Sequence, residues 1–345
     1  FTITSVTWSY TNPEDAVETF TPAATSTTPA SNKVTVKYNP ANLIGNTNID
    51  ATGIQVVITA TIVATSAGAC PTAVYTVSRT VTIHDADCCS SVTDAEGNFY
   101  YAHQFGDAGC WMTQNLRSTY TMQGSTQQTI PRGNNSNTEK TPLYYYPNAS
   151  LSVFNSHPEY GLLYTWAAAN IGSSAPDTGD PFGGTISTRQ GICPAGWHLP
   201  SDYEWAMLEK EIASNPKPYA DQENAYSGAA TYNYAGITNW RPGSGTSDMT
   251  YWGRQMKSQN KVGGYAPGGS SKPSADGGID IHLVGNLWVG AVENYGTGTA
   301  FWTASSCNNL WAMNRSLDAT HPGVYRPKDG GRIEAMISVR CVKSY

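Results

Sequence analysis

At residue 87 the chain changes character, and that break constrains its fold more than any other feature. Residues 1–87 hold three glycines (Gly45, Gly53, Gly68) and one tryptophan (Trp8), whereas the remaining 258 residues hold 30 and nine. One hydrophobic core has no reason to change its building blocks so abruptly. Two domains are therefore expected, 1–87 and 92–345, with a junction at 88–91.

The first segment reads as strands. Val34, Val36 and Tyr38 alternate with Lys33, Thr35 and Lys37. Ile54, Val56, Ile58, Ala60 and Ile62 share one face of the next run, and Tyr75, Val77, Val81 and Ile83 share one face of the run after it. Period-two alternation broken by Pro, Asn and Gly turns predicts antiparallel strands with one buried face. In fewer than 90 residues with no helical stretch, this pattern predicts a small immunoglobulin-like β-sandwich. The second segment is mixed. Val92–Tyr100 has the apolar–turn–apolar form of a hairpin. Leu163–Asn170 reads as a helix, and a second helix opens after Pro200. That second helix carries a capping box, Ser201 with Glu204, followed by the apolar stripe Trp205, Leu208 and Ile212. Residues 213–280 are rich in Gly, Ser, Asn and Tyr with little periodicity, so a long functional loop is expected there.

Charge is scarce. Asp, Glu, Lys and Arg make up 13% of the chain, about half of the ~25% usual in soluble proteins. A formal net charge of −6 cannot neutralise a phosphate backbone, which excludes nucleic acid as a partner. No apolar run approaches the ~20 residues of a membrane helix, so no transmembrane segment is expected. The chain starts at Phe1 with no charged-then-apolar leader, as a processed or trimmed chain would. Abundant Gly, Pro, Thr, Ser and Asn, with seven Cys, point to a secreted or cell-surface protein.

Six motifs, in this order, carry a family resemblance. They are Val92–Tyr100 (VTDAEGNFY), Gly109–Arg117 (GCWMTQNLR), Tyr160–Trp166 (YGLLYTW), Gly191–Ser201 (GICPAGWHLPS), Phe301–Ser305 (FWTAS) and Ser338–Val342 (SVRCV). Over roughly residues 90–345 the chain resembles the Fibrobacter succinogenes major paralogous domain, a family of bacterial extracellular modules. His198–Trp205 (HLPSDYEW) is similar to the helix-opening motif of the C-type lectin and formylglycine-generating-enzyme superfamily. The resemblance implies an α+β, C-type-lectin-like domain with two helices, a small twisted antiparallel sheet and a long structured loop region. It implies no ligand, because fold does not dictate function.

Metal and catalytic chemistry find little footing. The six histidines are scattered, with neither a His-x-x-x-His pair nor a Cys-x-x-Cys. Asp280 and His282 share a strand face and are expected as a hydrogen-bonded surface pair, not a zinc site. Asp94-Ala95-Glu96-Gly97 is expected as a plain turn, since it lacks the calcium-loop ligand series. The Glu-Pro-Asn and Gln-Pro-Asp triplets of calcium-dependent lectins are missing, which puts calcium-mediated sugar binding in doubt. No Gly-x-Ser-x-Gly elbow or oriented Cys–His pair stands out. Neither catalytic activity, a cofactor nor a metal is expected. Aromatics are the strongest positive signal. Trp240, Tyr251, Trp252, Trp288 and Tyr295 are candidate ligand-binding residues, because rings beside Asn and Gly suit sugar stacking or protein contact. Trp302 and Trp311 lie in strand-like runs and are expected in the core.

Cys193 and Cys341 each fall inside a family motif. In the lectin-like fold those elements adjoin, so the resemblance implies a Cys193–Cys341 bridge. Cys70 and Cys88 bracket a strand too long for them to meet, and adjacent Cys88 and Cys89 cannot easily bridge each other. One of the latter two is expected to reach Cys110, with Cys89–Cys110 the pairing carried forward. Seven Cys leave at least one over, with Cys70 and Cys307 as candidates.

The expected function is that of an extracellular structural or adhesive protein, a subunit of a pilus, filament or surface layer. The family implies a Gram-negative bacterium of the Bacteroidetes or Fibrobacter type. The rival expectation is a glycan-binding module. Copies of the chain itself are the expected partners, with a surface glycan or surface protein second. Residues 1–10 carry no charge and place Val6, Trp8 and Tyr10 on one face, so this strand is expected to mediate assembly.

Overall fold

The computed structural model describes residues 2–11, 17–22, 34–38, 54–65, 72–83, 89, 91–123, 126–134, 140–171, 189–221, 224–227, 229, 239–241, 251–288, 291–308, 310–327 and 330–344. The chain divides into two compact units, Phe1–Cys88 and Cys89–Ser344. It is mostly β with few helices, and no described helix is long and apolar enough to cross a membrane.

Apart from Thr11, the described part of the first unit is strand. Thr2–Tyr10, Ile54–Thr65 and Thr72–Ile83 form an antiparallel sheet in that order, and Val17–Pro22 pairs with Val34–Tyr38. The central strand, IQVVITATIVAT, is dominated by β-branched residues, whose stiff χ1 suits extended backbone. It pairs with Thr72–Ile83 without a slip, from Ile54 opposite Ile83 to Thr65 opposite Thr72. In the first strand, Val6, Trp8 and Tyr10 lie opposite Ile62, Ala60 and Ile58 of the same chain, and the register shifts between Ile3 and Ser5. This segment is an edge of its own sheet.

In the second unit, five strands form one sheet in the order Trp197–His198, Val342–Lys343, Cys110–Met112, Phe99–Gln104, Ser91–Thr93. A larger sheet runs Asn239–Arg241, Val324–Arg326, Trp311–Asp318, Gly298–Asn308, Val284–Trp288, Ala291–Tyr295, and Gly331–Arg332 also pairs with Trp311–Asp318. The hairpin at Val92–Tyr100 forms, with Val92 opposite Tyr100. Asp94 closes its turn by accepting from the amides of Glu96 and Asn98, both at 2.9 Å.

The capped helix spans Asp202–Ser214, and both arms of its box are present. Glu204 N donates to Ser201 Oγ at 3.2 Å, and Ser201 N donates to Glu204 Oε2 at 2.8 Å. Trp205, Leu208 and Ile212 are fully buried, and the Trp205 ring meets Trp111 at 5.0 Å and Phe301 at 5.3 Å. The helix expected over Leu163–Asn170 is only half realised. Leu163–Tyr164 pairs as a strand with Tyr144–Tyr145, and the helix starts at Trp166 behind an N-cap at Thr165. Two buried cystines staple the unit, Cys89–Cys110 and Cys193–Cys341, with Cα atoms 5.6 and 5.8 Å apart. Cys70 and Cys88 lie outside the described residues, and Cys307 lies on Gly298–Asn308.

Part of the scarce charge lies inside this unit. Asp202, Glu209, Arg315 and Arg326 are all fully buried. Arg315 donates to Asp202 and to Glu209 Oε1 (2.8 Å), while Arg326 donates to both Asp202 oxygens (3.0 and 2.7 Å). Trp252 Nε1 completes the cluster by donating to Glu209 Oε2 at 3.0 Å. Buried Arg340 donates to Asn115 Oδ1 at 2.9 Å and to the carbonyls of Ile279 and Asp280.

Candidate functional site

The most distinctive surface feature is an aromatic platform at one edge of the larger sheet. Trp240 sits on the edge strand Asn239–Arg241, directly opposite Tyr325. Its ring stacks on His321 with centroids 3.9 Å apart and planes 15° from parallel, and Tyr325 lies against it at 5.2 Å. All three rings are half-buried. A stacked indole with part of its surface in water is suited to the apolar face of a sugar ring or to a protein side chain.

The loop beneath the rings is tightly built. Asp318 Oδ1 accepts from the amides of Thr320 (2.8 Å) and His321 (2.7 Å), and Asp318 Oδ2 lies 2.8 Å from His321 Nδ1. Burial alone would raise the Asp318 carboxyl. The hydrogen bonds from His321 and Thr320 outweigh it and hold the group below the usual carboxylate range. From the inner side, Lys257 Nζ donates to the carbonyls of Asp318 (2.7 Å) and His321 (2.9 Å). Its burial pulls the ammonium down to about 8. Gly253 permits the close approach of the helical turn Trp252–Met256, since a Cβ there would lie 2.1 Å from Gly323 O. The His321 ring is thus held by the Asp318 carboxylate, and the backbone of its turn is held by Lys257.

The candidate rings do not converge. Trp240 lies on one edge strand of the larger sheet and Tyr295 on the other, five strand spacings or roughly 24 Å away. Trp288 and Tyr295 occupy opposite ends of one hairpin. Trp288 packs partly buried against the main core, and Tyr251 packs edge-on to Tyr226 at 5.6 Å. Trp252 corrects the expectation outright. It is fully buried and its indole N–H is committed to Glu209, so it belongs to the core. Trp302 is likewise fully buried, and Trp311 is half-buried under Arg332. His321, Tyr325 and Lys257, which shape the platform, went unmarked. Tyr325 and His321 meet Trp240 across a strand pairing some 85 residues distant, and Lys257 acts through the carbonyls of Asp318 and His321, so no local pattern marks them.

Elsewhere the chemistry is closed. Among the described residues no group of three or more His, Cys, Asp or Glu is placed to hold a metal ion. Asp280 and His282 approach to 3.7 Å, but both are buried, not at the surface as expected. A depression of about 220 Å³ lies between Thr93–Ala95, Ser118, Tyr120 and Ile192–Ala195. It falls short of the ~300 Å³ of ordinary ligand pockets. Its Asp94 carboxylate is already spent on Asn98, Glu96 and Tyr100.

With this geometry in view, the family model described as the Fibrobacter succinogenes major domain matches residues 107–343, well over half of the chain. The chain belongs to that family. No curated protein and no solved structure matches it. The matched span contains the aromatic platform, the buried charge cluster and the Cys193–Cys341 bridge of this Fibrobacter succinogenes major domain protein.

Proposed function

We propose that this protein is an extracellular structural or adhesive subunit that assembles with copies of itself through its N-terminal unit. In this reading, an immunoglobulin-like sandwich carries a C-type-lectin-like module outward on a surface filament, pilus or layer. One observation supports it above others: the first unit contains a three-stranded sheet of long strands in which the single charged residue is Arg79. Such a sheet lacks the lysines that normally keep sheet edges apart. The two cystines agree with an oxidising compartment. Light scattering of the intact chain across a concentration series, with electron microscopy of native material, tests the reading. Higher-order species are expected, and a chain that stays monomeric at high concentration with no filaments overturns it.

A second reading is favoured by the Trp240–His321 stack. Here the second unit is a glycan-binding module whose sugar lies against Trp240. Saturable glycan-array binding lost in Trp240→Ala supports it, and binding unchanged in that variant removes it.

A further inference from the structure

The strand Thr72–Ile83 has properties that natural edge strands avoid. It is twelve residues long, contains no proline, and pairs on one side with Ile54–Thr65 at every position. No strand pairs with its other side among the described residues. Edges are ordinarily guarded by charges, prolines, bulges or short length. The opposite edge of this sheet has such a guard, the register shift between Ile3 and Ser5. Thr72–Ile83 has only Arg79. Val74, Thr76 and Ser78 are exposed, and at 61% no large apolar side chain among the described residues is more exposed than Val74.

We propose that Thr72–Ile83 is a subunit junction, at which the same strand of a second copy of this chain pairs antiparallel to it. The inference rests on the self-assembly reading above and names its contact. Two copies of one edge related by a two-fold axis are self-complementary, because each presents the same alternation of N–H and C=O groups to the other. An axis perpendicular to the sheet keeps each face on its own side, so opposed residues have numbers of equal parity. The single charge selects among the registers. Centring the pair on Arg79 would set two like-charged residues at directly opposed positions, a destabilising arrangement. Centring on Val77 or Ser78 places Arg79 opposite Tyr75 or Val77 and keeps most of the twelve positions paired. The product is one continuous six-stranded sheet. The three exposed residues of each copy then continue the same uncharged face.

Sedimentation velocity of the intact chain over a hundredfold concentration range tests the junction. The wild-type chain should dimerise, and Val74→Lys/Ser78→Lys should weaken association at least tenfold with unchanged circular dichroism. These side chains point to solvent in the single chain, so the lysines should leave its fold intact. Under mild oxidation Ser78→Cys alone, or Ser78→Cys mixed with Thr76→Cys, should give an inter-chain crosslink at the introduced thiols, located by peptide mapping. A wild-type chain that stays monomeric overturns both the junction and the self-assembly reading. Assembly that persists in the double-lysine variant, or fails to crosslink at either position, overturns the junction while self-assembly stands.

Discussion

Asp202→Ala should be among the most damaging single changes in the second unit. Asp202 opens the capped helix, and its fully buried carboxylate accepts from Arg315 on one strand and Arg326 on the next. Glu209 supplies the second negative charge and accepts from Arg315. Removing Asp202 leaves two buried guanidinium groups with one carboxylate between them. Breaking a buried pair from one side typically costs about 3–5 kcal/mol. At roughly 2–4 °C per kcal/mol for a unit of this size, the melting temperature should fall by about 6–20 °C. Asp202→Asn keeps the volume but not the charge, so it should show most of the same loss. Acid provides a second check. Burial would raise the Asp202 carboxyl, but Arg315 and Arg326 overcome it and hold the group below its usual range. A depressed folded value stabilises above the unfolded value of about 3.9, and that stabilisation disappears as pH falls through the folded value. The gap between wild type and Asp202→Asn should therefore narrow below about pH 4. Differential scanning calorimetry on the oxidised protein reads both effects. A loss under ~2 °C, or an Asn variant equal to wild type, would show that charge pairing is not what holds this cluster.

Other consequences follow from the same structure. Burial would raise the Asp280 carboxyl, but neighbouring His282, 3.7 Å away, with donors from Ser258 and Ser274, overcomes it and brings the group to about 2. Asp280→Ala should remove roughly 2 kcal/mol of stability at neutral pH, shrinking to nothing between about pH 4 and 2, as urea titrations along a pH series would show. Trp252→Ala should cost about 3–5 kcal/mol, since it empties a core site and strands Glu209 Oε2. An unchanged urea midpoint for that variant would contradict its burial. The two cystines close loops of sequence separation 148 and 21, worth up to about 5 and 3 kcal/mol in the chain-entropy account. Cys193→Ser/Cys341→Ser should thus lower the denaturation midpoint more than Cys89→Ser/Cys110→Ser, and the reverse order would refute the loop-length explanation.

What could be read from the sequence was local in its physics. The hairpin at Val92–Tyr100 and the capping box at Ser201 are written in residues a few positions apart, and both form as the pattern implies. The strand runs of the first unit were visible because alternation is a property of a single strand. Leu163–Tyr164 failed for the opposite reason. Its residues suit a helix, but Tyr164 exchanges backbone bonds with Ile337, and that distant pairing prevails over propensity. The site was harder still. An aromatic residue in a charge-poor chain reads alike whether it lies in the core, as Trp252 does, or at an edge, as Trp240 does. Only long-range strand order separates the two.

The placement of charge ties the two units to one mode of life. With 13% charged residues, the chain nonetheless encloses Asp202, Glu209, Lys257, Arg315, Arg326 and Arg340 within its second unit. Lys257 and Arg340 are held by carbonyls and Asn115, while Asp202 and Glu209 pair with Arg315 and Arg326 and tie the capped helix to the larger sheet through directional bonds. The three strands of the larger sheet in the first unit, by contrast, contain a single charged residue, Arg79. Repulsion between copies, which keeps ordinary soluble proteins apart, is therefore weakest where main-chain hydrogen-bonding groups are least protected. On the proposed reading, the closed, stapled unit would present and the poorly guarded sheet would cohere.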